Sequence, residues 1–194
     1  MGQAIDKVNF SHRDFKAFGR KLHQCLNALE LLLERPSFGR GEASIGAELE
    51  LYLLDSKGLP LPDNVAIQKQ FGDPRLTLEL NRYNLEYNLS PVTAAGEPFS
   101  ALEQQMLDAL YRLQLLTEKQ GGNVLPIGIL PTLRSDDFGE SAMTDELRYH
   151  VLADMLHKMR DPSFGINIDG EDAIRLVQGD VTLEGACTSF QLHY

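Results

Sequence analysis

Cysteine is scarce in this chain. Cys25 and Cys187 are the two among 194 residues, far apart and without the paired spacing of a zinc site. They supply no framework for a secreted disulfide scaffold, so a reducing cytoplasm is the expected compartment. Long apolar runs are also missing. No stretch is long enough to span a bilayer, and the opening MGQAIDKVNFSHRDF has no apolar core behind a basic segment, so no membrane partner is expected. Positive charge is in deficit, with 18 Lys and Arg against 28 Asp and Glu, a formal net charge of -10. A phosphate-backbone binder would show a basic stripe, so nucleic acid is not an expected partner. Neither GxxxxGK[ST] nor GxGxxG occurs, which excludes a glycine-rich cradle for phosphate.

The apolar fraction of 43% is that of a globular protein, and the length suffices for one sizeable core. Asp14 to Leu33 carries apolar residues at helical spacing and stops at ERPSFGRG. Ser44 to Leu54 alternates as a strand, and SKGLPLPDN follows as a loop. A short helix is possible over Val65 to Phe71. LTLELNRYNLEYNLSP reads as two paired strands about Arg82 and Tyr83. Pro98 to Gln120 is the strongest helical pattern, with Ser100 and Glu103 in capping-box spacing and Gly121-Gly122 as its stop. NVLPIGILPTL reads as an apolar strand, and a further helix is expected from Thr144, ended by Asp161-Pro162. The remainder reads as short strands and turns. Nothing divides the chain, which is expected to be a single domain over 1–194 or the amino-terminal part of a longer catalytic domain. The second alternative is favoured because the sequence stops at Tyr194 within an alternating strand.

Residues i and i+2 of a strand share a face, roughly 6.5 to 7 Å apart. By that rule Glu48, Glu50 and Tyr52 lie together, as do Thr77, Glu79 and Asn81, then Asn84, Glu86 and Asn88, then Ser189, Gln191 and His193. The opposite faces hold Leu49, Leu51 and Leu53, then Leu78 and Leu80, then Leu85, Tyr87 and Leu89, then Phe190 and Leu192. A merely solvated face would mix Lys and Arg with its acids, and these polar positions have neither. Carboxylates brought close repel, and a divalent cation relieves the conflict. Carboxylate and amide oxygens suit Mg²⁺ or Mn²⁺ better than zinc, and Mg²⁺ commonly completes its shell with substrate phosphates. A nucleotide is therefore the expected substrate. Arg134, in the loop after a strand, and Arg148, on a helix, are candidates to hold its phosphates. His150 and His157 lack the spacing of a metal-binding helix and are expected at the surface.

IGAELELYLLD, LEYNLSP, GILPTL, RYHVLADML and EGACTSFQLHY, in that order from about Ser44 to Tyr194, resemble the amino-terminal half of glutamate-cysteine ligases of the carboxylate-amine ligase type. The resemblance implies an α+β fold like that of glutamine synthetase and the guanidino kinases, with a curved, largely antiparallel sheet. Helices would back its apolar face, and a concave acidic face would hold Mg²⁺ (or Mn²⁺), ATP and an amino acid. It implies that Glu48, Glu50 and Glu86 are metal acids, extended by Glu79 and Asn88, and that Gln191 and His193 form a polar pair near metal and substrate. The implied reaction activates the side-chain carboxylate of glutamate as an acyl phosphate, which the amine of cysteine attacks, a step of glutathione biosynthesis. Family members are about twice as long. A non-catalytic metal or amino-acid binding domain and a guanidino kinase-like phosphotransferase are the competing readings. Phe190 and Leu192, on a strand without a covering neighbour, point to self-association.

Overall fold

The computed structural model describes residues 5–159, 164–171, 173–178 and 180–194. Its elements run α1 (His12–Leu33), β1 (Ser44–Asp55), α2 (Asn64–Phe71), β2 (Leu76–Leu78), β3 (Asn84–Thr93), α3 (Pro98–Glu118), β4 (Gly122–Leu125), α4 (Leu147–Met159), β5 (Phe164–Asp169), β6 (Ala173–Gln178), α5 (Thr182–Gly185) and β7 (Phe190–His193). The chain is thus α+β. An open antiparallel sheet has the order β2-β3-β1-β4, with β7 on the same side of β1 as β4, and β5 and β6 form a separate hairpin.

Strand β1 organises the sheet because its alternation matches partners on both sides. Glu50 lies opposite Glu86 of β3 and Glu48 opposite Asn88, while Glu48 also meets Gln191 of β7. A register shift at Gly46 marks a bulge in the β1–β3 pairing. The apolar face buries Leu49, Leu51 and Leu53 with Leu85, Tyr87 and Leu89, under Ile67 of α2 and Leu102, Ala109 and Leu113 of α3. Sequence alternation therefore reads the apolar face of β1 and β3 correctly, whereas Phe190 and Leu192 of β7 stay exposed. The short helix expected over Val65 to Phe71 forms over 64–71, and Gly72 terminates it in the left-handed conformation.

Four local expectations are corrected. The capping box at Ser100 does not form, because Pro98 starts α3 with its fixed φ, and Glu97 stands at the N-cap without a side-chain bond. The strand expected over NVLPIGILPTL ends at Leu125, where Pro126 offers no N–H to a ladder. The helix expected from Thr144 starts at Leu147, since the buried Thr144 hydroxyl is engaged with the carbonyl of Glu79 at 2.6 Å and the amide of Asn64 at 2.9 Å. Leu80 leaves the apolar face, because β2 stops at Leu78 and the chain turns to pack Leu80 against Gly185. The end expected at Asp161-Pro162 and the side chain of His157 lie outside the described residues.

Candidate functional site

The opposite face of the sheet is divided in two. Around Tyr52 and Leu54 it is closed by the segment after β4, where Leu130 and Ala142 join Tyr83 in a second small core. The Tyr52 and Tyr83 rings stack with centroids 5.9 Å apart, and the Tyr52 hydroxyl donates to the carbonyl of Ala186. Tyr52, grouped by alternation with the chemical face, is fully buried packing. Asn81 is also buried, donating to the Thr182 carbonyl at 2.8 Å and the Tyr83 hydroxyl at 3.1 Å, and Asn84 donates to the carbonyl of Leu51 at 3.4 Å. These three residues frame the site and do not line it.

The remaining half is open and acidic. A cleft of about 600 Å³ is lined by Glu50, Glu79, Leu80, Tyr149, Ser189 and their neighbours, and a second of about 410 Å³ by Thr77, Glu79, Glu86, Arg148 and Tyr149. Glu79 is common to both. Each of its acidic companions has protein donors. Glu50 accepts from the Ser189 N–H at 2.7 Å and from the Gln191 amide at 3.2 Å. Glu86 accepts from the Thr77 hydroxyl at 3.0 Å and the Asn88 amide at 2.6 Å. Glu48 pairs with His193 at 3.4 Å.

Glu79 accepts only a longer bond, from the Leu80 N–H at 3.3 Å among the described residues, and that does not offset its burial. Burial pushes its carboxyl up to about 7, aided by the nearby charges of Glu86 and Glu50 and by the hydrogen bond it shares with Glu86. A carboxyl of this kind holds a proton near neutrality, so the acidic face limits its self-repulsion by hydrogen bonding and by protonation. Tyr149 forms the opposite wall. Its hydroxyl donates to the carbonyl of Leu78 at 2.8 Å, and burial together with the charge of Glu79 pushes it up to about 12.

The structure brings Glu50, Glu79, Glu86 and Arg148 to one pair of clefts, with Glu48, Gln191 and His193 in adjoining register on β1 and β7. Arg148 donates to the Leu78 carbonyl at 3.3 Å and the Tyr149 hydroxyl at 2.8 Å, and its guanidinium lies 4.6 Å from the Tyr149 ring centroid. Arg134 is not brought to these clefts. It is exposed in the segment that closes the Tyr52 end, its N–H donating to Asp137 at 2.7 Å. His150 pairs with Asp145 at 3.4 Å and lines neither cleft. Tyr149 is a lining residue that the sequence pattern does not point to. It directly follows Arg148, and Ser189 lies where strand parity groups it with Gln191 and His193 on the polar face. Among the described residues no three His, Cys, Asp or Glu side chains converge as a ready-made metal cage. Comparison with family models, with curated proteins and with solved structures gives no match.

Proposed function

We propose that this chain carries the acidic face of an ATP- and Mg²⁺-dependent carboxylate-amine ligase of the glutamate-cysteine ligase type. One observation supports it above the others: Glu48, Glu50 and Glu86 stand on one face of an open antiparallel sheet, beside Glu79 and Arg148 at a cleft, with the helices behind. The donor set is hard oxygen, from carboxylates and amides, as a magnesium site requires. Mg²⁺ commonly takes one or two protein carboxylates and completes its shell with substrate phosphate and water, so a three-ligand cage is not needed. Glu50 and Glu86, paired across β1 and β3, would hold it, with Glu48 next in line on β1. The bound ion would supply charge neutralisation at a transferring phosphoryl group.

The protein's own groups have separable parts. Ser189 and Gln191 fix the orientation of Glu50, and Thr77 and Asn88 that of Glu86. Arg148, steadied against Tyr149, offers a cation at the rim for an anionic substrate. Glu79 holds a proton at its carboxyl oxygen. In the reaction the carboxylate oxygen of glutamate attacks the terminal phosphorus and ADP leaves. The amine nitrogen of cysteine then attacks the acyl carbon, phosphate leaves, and an amide remains.

The test is ADP release by the complete gene product with Mg²⁺-ATP. The expected result is release only when glutamate and cysteine are both present, lost by roughly a hundredfold or more in Glu50→Gln and Glu86→Gln with the fold retained. Phosphate transfer to a guanidino compound would move the assignment to a phosphotransferase. Binding of Mn²⁺ or glutamate without turnover would move it to a binding domain.

A further inference from the structure

The larger of the two clefts, about 600 Å³, is lined in an uneven way. Its charged lining residues are Glu50, Glu79 and Glu184, all acids, and among the described residues no Lys, Arg or His lines it. Leu80, Leu152, Leu156 and Val181 supply an apolar wall, and Leu152 keeps 45% of its surface exposed. Arg148 lines the smaller cleft instead, together with Glu86.

Glu184 is carried on a segment that is held in place. Gly185 lets α5 lie directly on Leu80, since a Cβ there would come 2.7 Å from Leu80 Cδ2 and 3.3 Å from the Asn81 amide nitrogen. That amide donates to the Thr182 carbonyl at 2.8 Å, and the Thr182 hydroxyl accepts from the Gly139 N–H at 2.9 Å. Helix α5 is thus tied down, yet the Glu184 carboxylate has no protein partner among the described residues. Glu50, by contrast, is occupied by Ser189 and Gln191. A fixed carboxylate without a donor, beside an apolar wall, is complementary to a cationic group on an apolar body. What the cleft disfavours is equally specific. A ligand carboxylate placed here meets like charge with no cation to offset it. An α-amino acid carries its ammonium and its carboxylate on one carbon, so seating one seats both. A simple primary amine brings only the ammonium.

We propose that this cleft takes the amine acceptor, and that the acceptor it fits best is a primary amine with an apolar alkyl or arylalkyl body and no carboxylate. The inference rests on the ligase reading above and extends its acceptor beyond cysteine, which is the poorer fit. The ammonium sits at Glu184, and the body lies against Leu80, Leu152, Leu156 and Val181. In the amide-forming step the nitrogen forms the C–N bond, the acyl C–O bond breaks, and phosphate leaves with that electron pair. Of the two protons the ammonium sheds, one goes to the phosphate and one to Glu184.

Calorimetric titration of this chain with phenethylamine, phenylalanine and phenethyl alcohol tests the cleft without turnover. The three share a body and differ in ammonium and carboxylate. The amine is expected to bind by about tenfold or more over either of the others. Glu184→Gln should weaken the amine by about fivefold, the size of one exposed charge pair, and leave the alcohol and the circular dichroism unchanged. Leu152→Asn should weaken amine and alcohol alike. Phenylalanine binding as tightly as the amine, no binding of the amine, or wild-type binding of the amine by Glu184→Gln would each overturn the proposal. ADP release by the complete gene product with glutamate separates it from the ligase reading. Release with cysteine but not with phenethylamine overturns the inference and leaves the ligase. Selective binding of the amine with no release from either acceptor sinks the ligase reading, and with it the acceptor role, while the preference for a carboxylate-free amine stands.

Discussion

Glu79 differs from its acidic neighbours in how its charge is managed, and the difference is measurable. Its carboxyl titrates at about 7 in the folded protein against an ordinary 4.5, chiefly through burial and then through Glu86 and Glu50. Between those two values the folded chain keeps a proton that the unfolded chain has released, so stability falls as pH rises from about 4.5 to 7. The full effect is at most roughly 3 kcal/mol. Glu79→Gln should therefore flatten that stretch of a urea stability profile and raise stability at pH 8. A variant profile parallel to the wild type would remove Glu79 from the account. Glu50→Gln should shift the Glu79 midpoint down, because one of the charges that raises it has gone. Gly122 is a second position decided by a single atom. A Cβ there would sit 2.8 Å from the Leu54 carbonyl and 2.9 Å from Leu61. Gly122→Ala should destabilise by about 1–3 kcal/mol, visible as a lower urea midpoint, since a backbone oxygen has little freedom to retreat. The sequence marks Gly122 as a helix stop, but the close approach that demands glycine depends on how β4 pairs with β1. No local pattern reveals it.

At the scale of elements, β1 separates stability from chemistry by parity. Leu51→Ala removes a buried side chain between α3 and the sheet and should cost about 2–5 kcal/mol. Glu50→Gln, one residue away, keeps an oxygen for Ser189 and relieves repulsion with Glu86 and Glu79, so its thermal midpoint should be equal or higher. Equal losses of stability from both would show that the faces are not distinct. Alternation made this division readable in advance, because a strand buried on one side writes its register into the order of its residues. It says which side chains share a face, however, and not what covers that face. Tyr52 shares parity with Glu48 and Glu50, yet the segment carrying Leu130 and Ala142 folds over it and makes packing of it. That segment has little periodicity, so its path was not legible, and Arg134, carried on it, lies away from the acids. Arg148 was harder to read for the opposite reason. A helix pattern beside Glu146 suggests solvent, but its stacking on Tyr149 and its bond to the Leu78 carbonyl arise from how α4 lies against β2.

For the whole molecule, the two faces and α1 imply different degrees of protection. The sheet and α2 and α3 share one continuous core around Leu51, Leu53, Leu85 and Leu113, so their innermost amides should exchange with solvent only when the domain opens as a unit. Helix α1 contributes nothing to that core. In a monomer its amides would be protected only by the helix's own hydrogen bonds, including the cap at Ser11 and Asp14, and would exchange through local fraying. Hydrogen exchange followed by mass spectrometry should therefore show peptides spanning His12–Leu33 exchanging much faster than peptides of β1 and β3. If the α1 peptides are instead as protected as those of β1, the stripe of Phe15, Leu22 and Leu29 is covered in solution, and the helix is held by more than its own hydrogen bonds.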